Sequence, residues 1–169
     1  SELEKILLHL RLHKQTQITK PMVHEFIGID KDFNVFELQD ALGKGQSERA
    51  QKIARMMMKN TKENPPILLV AQLFAYYQKL GMCIQAGARD EHSIAKVLGM
   101  SPFIARNYTG PVGRHNLASI HRALELIYNA DLQLKGIQQT SMPATYVFET
   151  LMLKLLMPAR RPAGGIVSA

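Results

Sequence analysis

The stretch Phe26–Gly45 reads FIGIDKDFNVFELQDALGKG and predicts a joint between two helices. Gly28 follows the apolar-periodic segment Met22–Ile27, in the place where a left-handed C-terminal cap is common. Asn34 is suited to cap the next helix, and Glu37, three residues later, can complete a capping box. The rest of this helix comprises an apolar stripe of Val35, Leu38 and Leu42, a flanking Phe36, and the terminating Gly43 and Gly45.

Helical periodicity extends through almost all of the sequence on both sides of this joint, and no segment shows the sustained alternation of a half-buried strand. We therefore predict an all-α fold, a helical bundle preceded by a small helical remnant. The helices expected are Leu3–Leu10, a short one from Thr19, Val35–Leu42, Gln46–Asn60, Asn64 to about Gly81 or slightly beyond, Asp90–Leu98, one from Ser101–Pro102, Asn116–Gly136 and one from Pro143. The sequence GPVG at Gly110–Gly113 predicts a break between helices.

Composition favours a folded protein in a reducing compartment. At 169 residues the chain can bury a sizeable core, and hydrophobic residues form 46% of it. The single cysteine, Cys83, cannot form an internal disulfide, which fits a cytoplasmic location. The chain opens at Ser1 without a basic leader, so no secretory signal is expected.

The longest apolar run, Ile67–Tyr77, is too short for a membrane span and is interpreted as part of a core helix. We predict that the helix from Pro66 to about Leu80 is the most buried of all, because apolar residues surround it on nearly every face. No contact with a membrane is expected.

The net charge of +7 is unevenly distributed along the chain. The segment Lys44–Lys62 carries six basic residues against the single acid Glu48. Lys52, Arg55 and Lys59 share one face of the predicted helix, and apolar residues occupy the other. This basic face is either a solvated outer surface or a contact for nucleic acid or an acidic partner protein.

Several segments together resemble the delta subunit of the bacterial DNA polymerase III clamp loader. The resembling phrases are ELEKI at Glu2–Ile6, IT at Ile18–Thr19, IG at Ile27–Gly28, DFNVFEL at Asp32–Leu38, ALG at Ala41–Gly43, NPP at Asn64–Pro66, LGMSPF at Leu98–Phe103 and LELIYNADLQLKG at Leu124–Gly136. Their order and spacing carry the resemblance from Glu2 to about Met157, which is most of the chain.

The resemblance implies a carboxy-terminal fragment of such a subunit. Residues 1–30 would be the end of a helical lid domain, 31–157 the helical collar domain used for oligomerisation, and 158–169 a flexible tail. The collar would help hold a hetero-pentamer together through the delta prime and gamma/tau-type subunits, while neighbouring subunits hydrolyse ATP.

The resemblance also implies what the complete subunit does. It would bind and open the sliding clamp through an amino-terminal domain, and it would contact DNA only within the assembled complex. The parent would be an accessory subunit of a DNA-directed DNA polymerase, a nucleotidyltransferase, and the fragment itself would be non-catalytic.

Residues 91–110 leave a second interpretation open, a helix-turn-helix DNA-binding regulator. Their apolar positions and Gly99 match the spacing and the turn glycine of that motif. A recognition helix from Pro102 would present Arg106 and Asn107 to base edges or phosphates. The complete set of candidate nucleic-acid or partner contacts is Lys52, Arg55, Lys59 and Arg106.

The sequence offers no catalytic centre, cofactor site or metal site. His9 and His13 lie one helical turn apart, but no cysteine or carboxylate nearby completes a set of metal ligands. The segment Gly43–Gly45 lacks the preceding strand and the full spacing of a phosphate loop. The other histidines show no order typical of a nucleophile–base pair. We therefore expect no catalysis and no cofactor.

Overall fold

The structure is a computed structural model that describes residues 34–157. The chain divides into two units, Ser1–Phe33 and Asn34–Ala169, and every described residue lies in the second. The interpretations of 1–30 as a lid segment, including its helices, the Gly28 cap and the two neighbouring histidines, lie outside the described residues. The predicted tail, 158–169, also lies outside them. The assignment of lid, collar and tail stays a prediction.

The described residues form seven α-helices and contain no strand, which confirms the predicted all-α fold. In chain order the helices are α1 Val35–Gly43, α2 Ser47–Lys59, α3 Pro66–Gln85, α4 Glu91–Leu98, α5 Pro102–Arg114, α6 Leu117–Leu134 and α7 Ala144–Leu156.

Side-chain caps fix the beginnings of three helices, as the sequence predicted. The Asn34 side chain accepts a hydrogen bond from the backbone N–H of Glu37 at 3.0 Å. Asp90 accepts from the N–H groups of His92 and Ser93 at the start of α4. Asn116 forms a capping box at the start of α6. Each cap satisfies backbone donors that have no partner within the helix.

The predicted break at Gly110–Gly113 is wrong, because α5 continues through it to Arg114. Pro111 is buried inside the helix. A proline removes one backbone donor, but the helix resumes beyond it, where the His115 N–H donates to the Pro111 carbonyl at 3.1 Å. Gly43 of α1 makes room for the ring, since a β-carbon there would lie 2.7 Å from Pro111 Cγ. Packing between α1 and α5 therefore outweighs the local tendency to break.

Helix α3 is the centre of the bundle. It packs most extensively against α6 and also contacts α1, α4, α5 and α7. Helix α7 packs on α2 and α6 as well, so that it joins the first half of the bundle to the second. The largest fully buried side chains are Tyr77, Phe148, Leu38, Ile53, Leu73, Leu80, Ile94, Ile120, Ile127, Met152, Val70 and Val112.

The prediction for α3 holds only in part. With seven buried residues, α3 contributes more to the core than any other described helix. It is not enclosed on nearly every face, however, because Leu68 and Met82 are 52% and 51% exposed. At 20 residues, α3 is also longer than the apolar run suggested, and it has the length and composition of a membrane-crossing helix. Core helices of soluble proteins share those properties, and α3 packs on five other helices here.

Candidate interaction surface

The basic face of α2 consists of Lys52, Arg55 and Lys59, and all three side chains are exposed. The opposite face of α2 is buried in the bundle. Among the described residues the three cations form no ion pair. By contrast, Arg49, near the start of the same helix, binds Asp40 at 3.0 Å. The exposure is as predicted, and a contact with nucleic acid or a partner stays a prediction.

Arg106, the fourth predicted contact, lies on α5 and does not join this basic face. Its Nε donates to the carboxylate of Glu91 at 2.9 Å. This hydrogen bond, with the charge of Arg106, lowers the pKa of Glu91. The first turn of α5 exposes Phe103 and Ile104. A recognition helix presents polar side chains to base edges there, so the α4–α5 pair does not favour the helix-turn-helix interpretation.

A second surface lies on α3, and the sequence did not identify its outward-facing residues. Between residues 67 and 75 every exposed side chain is apolar. The neighbouring helix α6 adds Tyr128, which is 57% exposed. We call this set the α3–α6 apolar surface; its members are Ile67, Leu68, Ala71, Phe74, Ala75 and Tyr128. The apolar run, which only Gln72 interrupts, was the available signal, but it could not show which of its residues face outward.

Where α3 meets α6, this surface contains a cavity of about 230 Å³. Phe74 and Tyr128 line it, together with buried residues of both helices. Its edge carries Asp131 and Lys135, whose side chains form an ion pair at 2.6 Å. The two charges compensate one another, so the opening suits an apolar side chain rather than an ion.

Burial changes the titration of several side chains inside the bundle. The ring centroid of Tyr76 lies 5.5 Å from that of Tyr77 and 5.7 Å from that of Tyr108. Burial raises the pKa of both Tyr76 and Tyr77 far above the ordinary value, so both remain neutral phenols. Burial also raises the pKa of the Cys83 thiol. A thiol held in its protonated form is a poor nucleophile.

Metal binding has no basis within residues 34–157 either. That part of the chain contains no group of three or more histidine, cysteine, aspartate or glutamate side chains placed to hold an ion.

The match to a known protein family agrees with the all-α fold. A family model described as "DNA polymerase III delta subunit, C-terminal domain" matches residues 32–155. The match covers most of the chain and extends from just before α1 to the last turn of α7. Searches of curated proteins and of solved structures found no match. The resemblance read from the sequence phrases is confirmed: the chain belongs to the family formed by the C-terminal domains of DNA polymerase III delta subunits.

Proposed function

We propose that this chain is the assembly segment of a clamp-loader delta subunit. Membership in the delta C-terminal family supports a clamp-loader subunit role. The observation that supports assembly is the α3–α6 apolar surface, which the folded bundle leaves open to solvent. Contiguous exposed apolar patches on soluble proteins commonly mark contacts with other proteins.

The composition of this surface indicates the kind of partner that covers it. The part of this surface that lies on α3 has no charged side chain. The apolar face of a partner helix can therefore pack along it without burying an unpaired charge. Ala71 and Ala75 are small, which allows a close approach. Covering the surface gains roughly 25 cal/mol per Å² of apolar area before the ordering costs of association.

In this proposal the partners are the delta prime and gamma/tau-type subunits of the loader in the cytoplasm. The complete delta subunit engages the sliding clamp through its amino-terminal part, and neighbouring subunits hydrolyse ATP. The basic face of α2 contacts DNA only within the assembled complex. The present segment positions the other parts and performs no reaction itself.

The test uses matched charges placed on one helix. Ala71→Glu puts a carboxylate inside the α3–α6 apolar surface, whereas Gln78→Glu adds the same charge at an exposed position beyond its apolar run. Burying an unpaired carboxylate is unfavourable, so we expect Ala71→Glu to weaken binding to the purified loader subunits about tenfold or more. Calorimetric titration measures the affinity, and circular dichroism checks that both variants fold.

We expect Gln78→Glu to bind like the unmodified chain. The proposal is wrong if the unmodified chain binds none of the purified subunits. It also fails if Ala71→Glu and Gln78→Glu bind equally well, because the apolar surface would then not be the contact.

A further inference from the structure

A second opening lies between α1 and α5 and shares no residue with the α3–α6 apolar surface. It is a groove of about 450 Å³. Phe36 and Ile104 form its exposed apolar rim and are 73% and 49% accessible to solvent. Tyr76 and Tyr108 also line it. We call it the α1–α5 groove.

Tyr76 contributes a buried hydroxyl group to the lining of this groove. The residue is only 5% exposed, and its hydroxyl oxygen is buried. No group in the described part of the chain forms a hydrogen bond with that hydroxyl. Buried hydroxyls are nearly always paired, because an unpaired one loses its hydrogen bonds to water without replacement.

The hydroxyl cannot move away from the groove toward α1. A β-carbon at Gly43 would collide with the Tyr76 hydroxyl, so the phenol already lies against the α1 backbone. The exposed Phe36 side chain, in contrast, is free to change rotamer within nanoseconds. An incoming group therefore has to approach the hydroxyl through the groove that Tyr76 lines.

Four charged side chains line the groove, the acids Glu37 and Asp40 and the bases Lys44 and Arg49, and this balance favours an uncharged occupant. Lys44 Nζ and Arg49 Nη1 both bind the carboxylate of Asp40, at 2.7 and 3.0 Å. Both cations thus have an acid of this chain as a partner, and an incoming anion would have to compete with it. An apolar group with a neutral hydrogen-bond acceptor meets no such competition.

We propose that the α1–α5 groove binds an uncharged apolar segment of a neighbouring clamp-loader subunit, which packs between Phe36 and Ile104 and places a carbonyl or amide oxygen on the Tyr76 hydroxyl. This inference rests on the proposed function and adds a contact distinct from the α3–α6 apolar surface. The tyrosine then completes in the complex the hydrogen bond that it lacks among residues 34–157.

Tyr76→Phe tests the hydrogen bond, because it removes the hydroxyl and keeps the ring. The isolated variant is expected to be at least as stable as the unmodified chain in urea unfolding, since an unpaired buried hydroxyl is lost. Its affinity for the purified delta prime and gamma/tau-type subunits is expected to fall about three- to tenfold. Unchanged affinity, or clear destabilisation of the isolated chain, would overturn the assigned role of the hydroxyl.

The rim is tested by the double variant Phe36→Ala/Ile104→Ala, with Phe103→Ala as the matched control. Phe103 is 81% exposed beside Ile104 but does not line the groove. We expect the double variant to lose about tenfold or more in affinity for the same subunits and the control to bind normally. All three positions are exposed, so folding is expected to be preserved.

The outcomes separate the two proposals. If the double variant binds like the unmodified chain while Ala71→Glu fails to bind, the groove proposal is wrong and the assembly role stands. If the unmodified chain binds none of the subunits, both are wrong.

Discussion

His115 follows α5 and has one free ring nitrogen in a half-buried position. Its Nδ1 lies 3.1 Å from the Ser119 hydroxyl, and its ring packs edge-on against Tyr77. Its Nε2 is buried and has no hydrogen-bond partner among residues 34–157. Burial and then the neighbouring charge of Arg114 lower the pKa of His115. The folded state therefore favours the neutral imidazole.

This environment predicts a pH dependence of stability. As the pH drops through the ordinary histidine pKa of 6.5, His115 takes up a proton in the unfolded chain at a higher pH than in the folded chain. The free energy of unfolding should therefore fall as the pH drops through that value and level off below the folded-state pKa. Urea unfolding between about pH 7.5 and about pH 5 measures it. His115→Gln should flatten this part of the profile, whereas His92→Gln, at an exposed histidine, should not; equal profiles for both variants contradict the prediction.

Single-residue features were predictable where they depend on neighbours in sequence. The caps at Asn34, Asp90 and Asn116 bond to backbone two or three positions ahead, so spacing alone identified them. The polar atoms of Tyr76 and His115 that lack a partner among residues 34–157 were not predictable, because they result from helices that are distant in sequence.

Among the helices, α7 ends in a clamp supplied by α6. Arg122 Nη1 donates to the carbonyl of Met157, and Nη2 donates to that of Lys154, each at 3.0 Å. The last carbonyls of a helix have no partner within it, so one planar guanidinium satisfies two of them.

Arg122→Ala should therefore loosen the last turn of α7. We expect a loss of about 1 kcal/mol in the free energy of unfolding, limited by the solvent exposure of these bonds. Hydrogen exchange should become faster at the backbone amides of the last turn of α7. Arg122→Lys should restore little, because an ammonium group cannot reproduce the fork, and Glu125→Ala on the same helix serves as the control. Unchanged exchange in Arg122→Ala would show that the clamp has no effect.

Helix identity was predictable from apolar spacing, but one helix end was not. Glycines at 110 and 113 beside Pro111 are typical of a break. Sequence spacing could not show that Gly43 leaves space for the proline ring, since that contact joins residues far apart in the chain. The error therefore arose from tertiary packing.

For the whole molecule, the basic face of α2 is the surface that we propose contacts DNA. The triple variant Lys52→Ala/Arg55→Ala/Lys59→Ala should weaken DNA binding by the assembled loader and flatten its salt dependence. A complex that forms fewer phosphate contacts releases fewer counterions when it binds DNA, so its affinity changes less with salt. DNA titrations at several salt concentrations measure the slope. The matched control replaces the exposed Lys79, Lys96 and Lys154. An identical slope for the two triple variants would leave the α2 cations as solubilising charges.

The overall bundle was predictable, but the use of its surface was not. The apolar run of α3 correctly indicated a core helix, and yet the same residues also supply its outward face. Hydrophobicity indicates that a side chain is buried, but it does not indicate whether the same chain or a partner covers it. The sequence could not divide the apolar residues of α3 between the interior and the outer face.

The open face of α3 also bears on how many copies of this chain a cell can hold. Until a partner arrives, Leu68 and its neighbours remain in water, and surplus copies tend to associate with one another. Matched synthesis of the chain and its partners keeps the number of unbound copies small. We expect chaperones and proteases to remove copies made in excess, so that abundance follows the scarcest partner rather than the rate of translation.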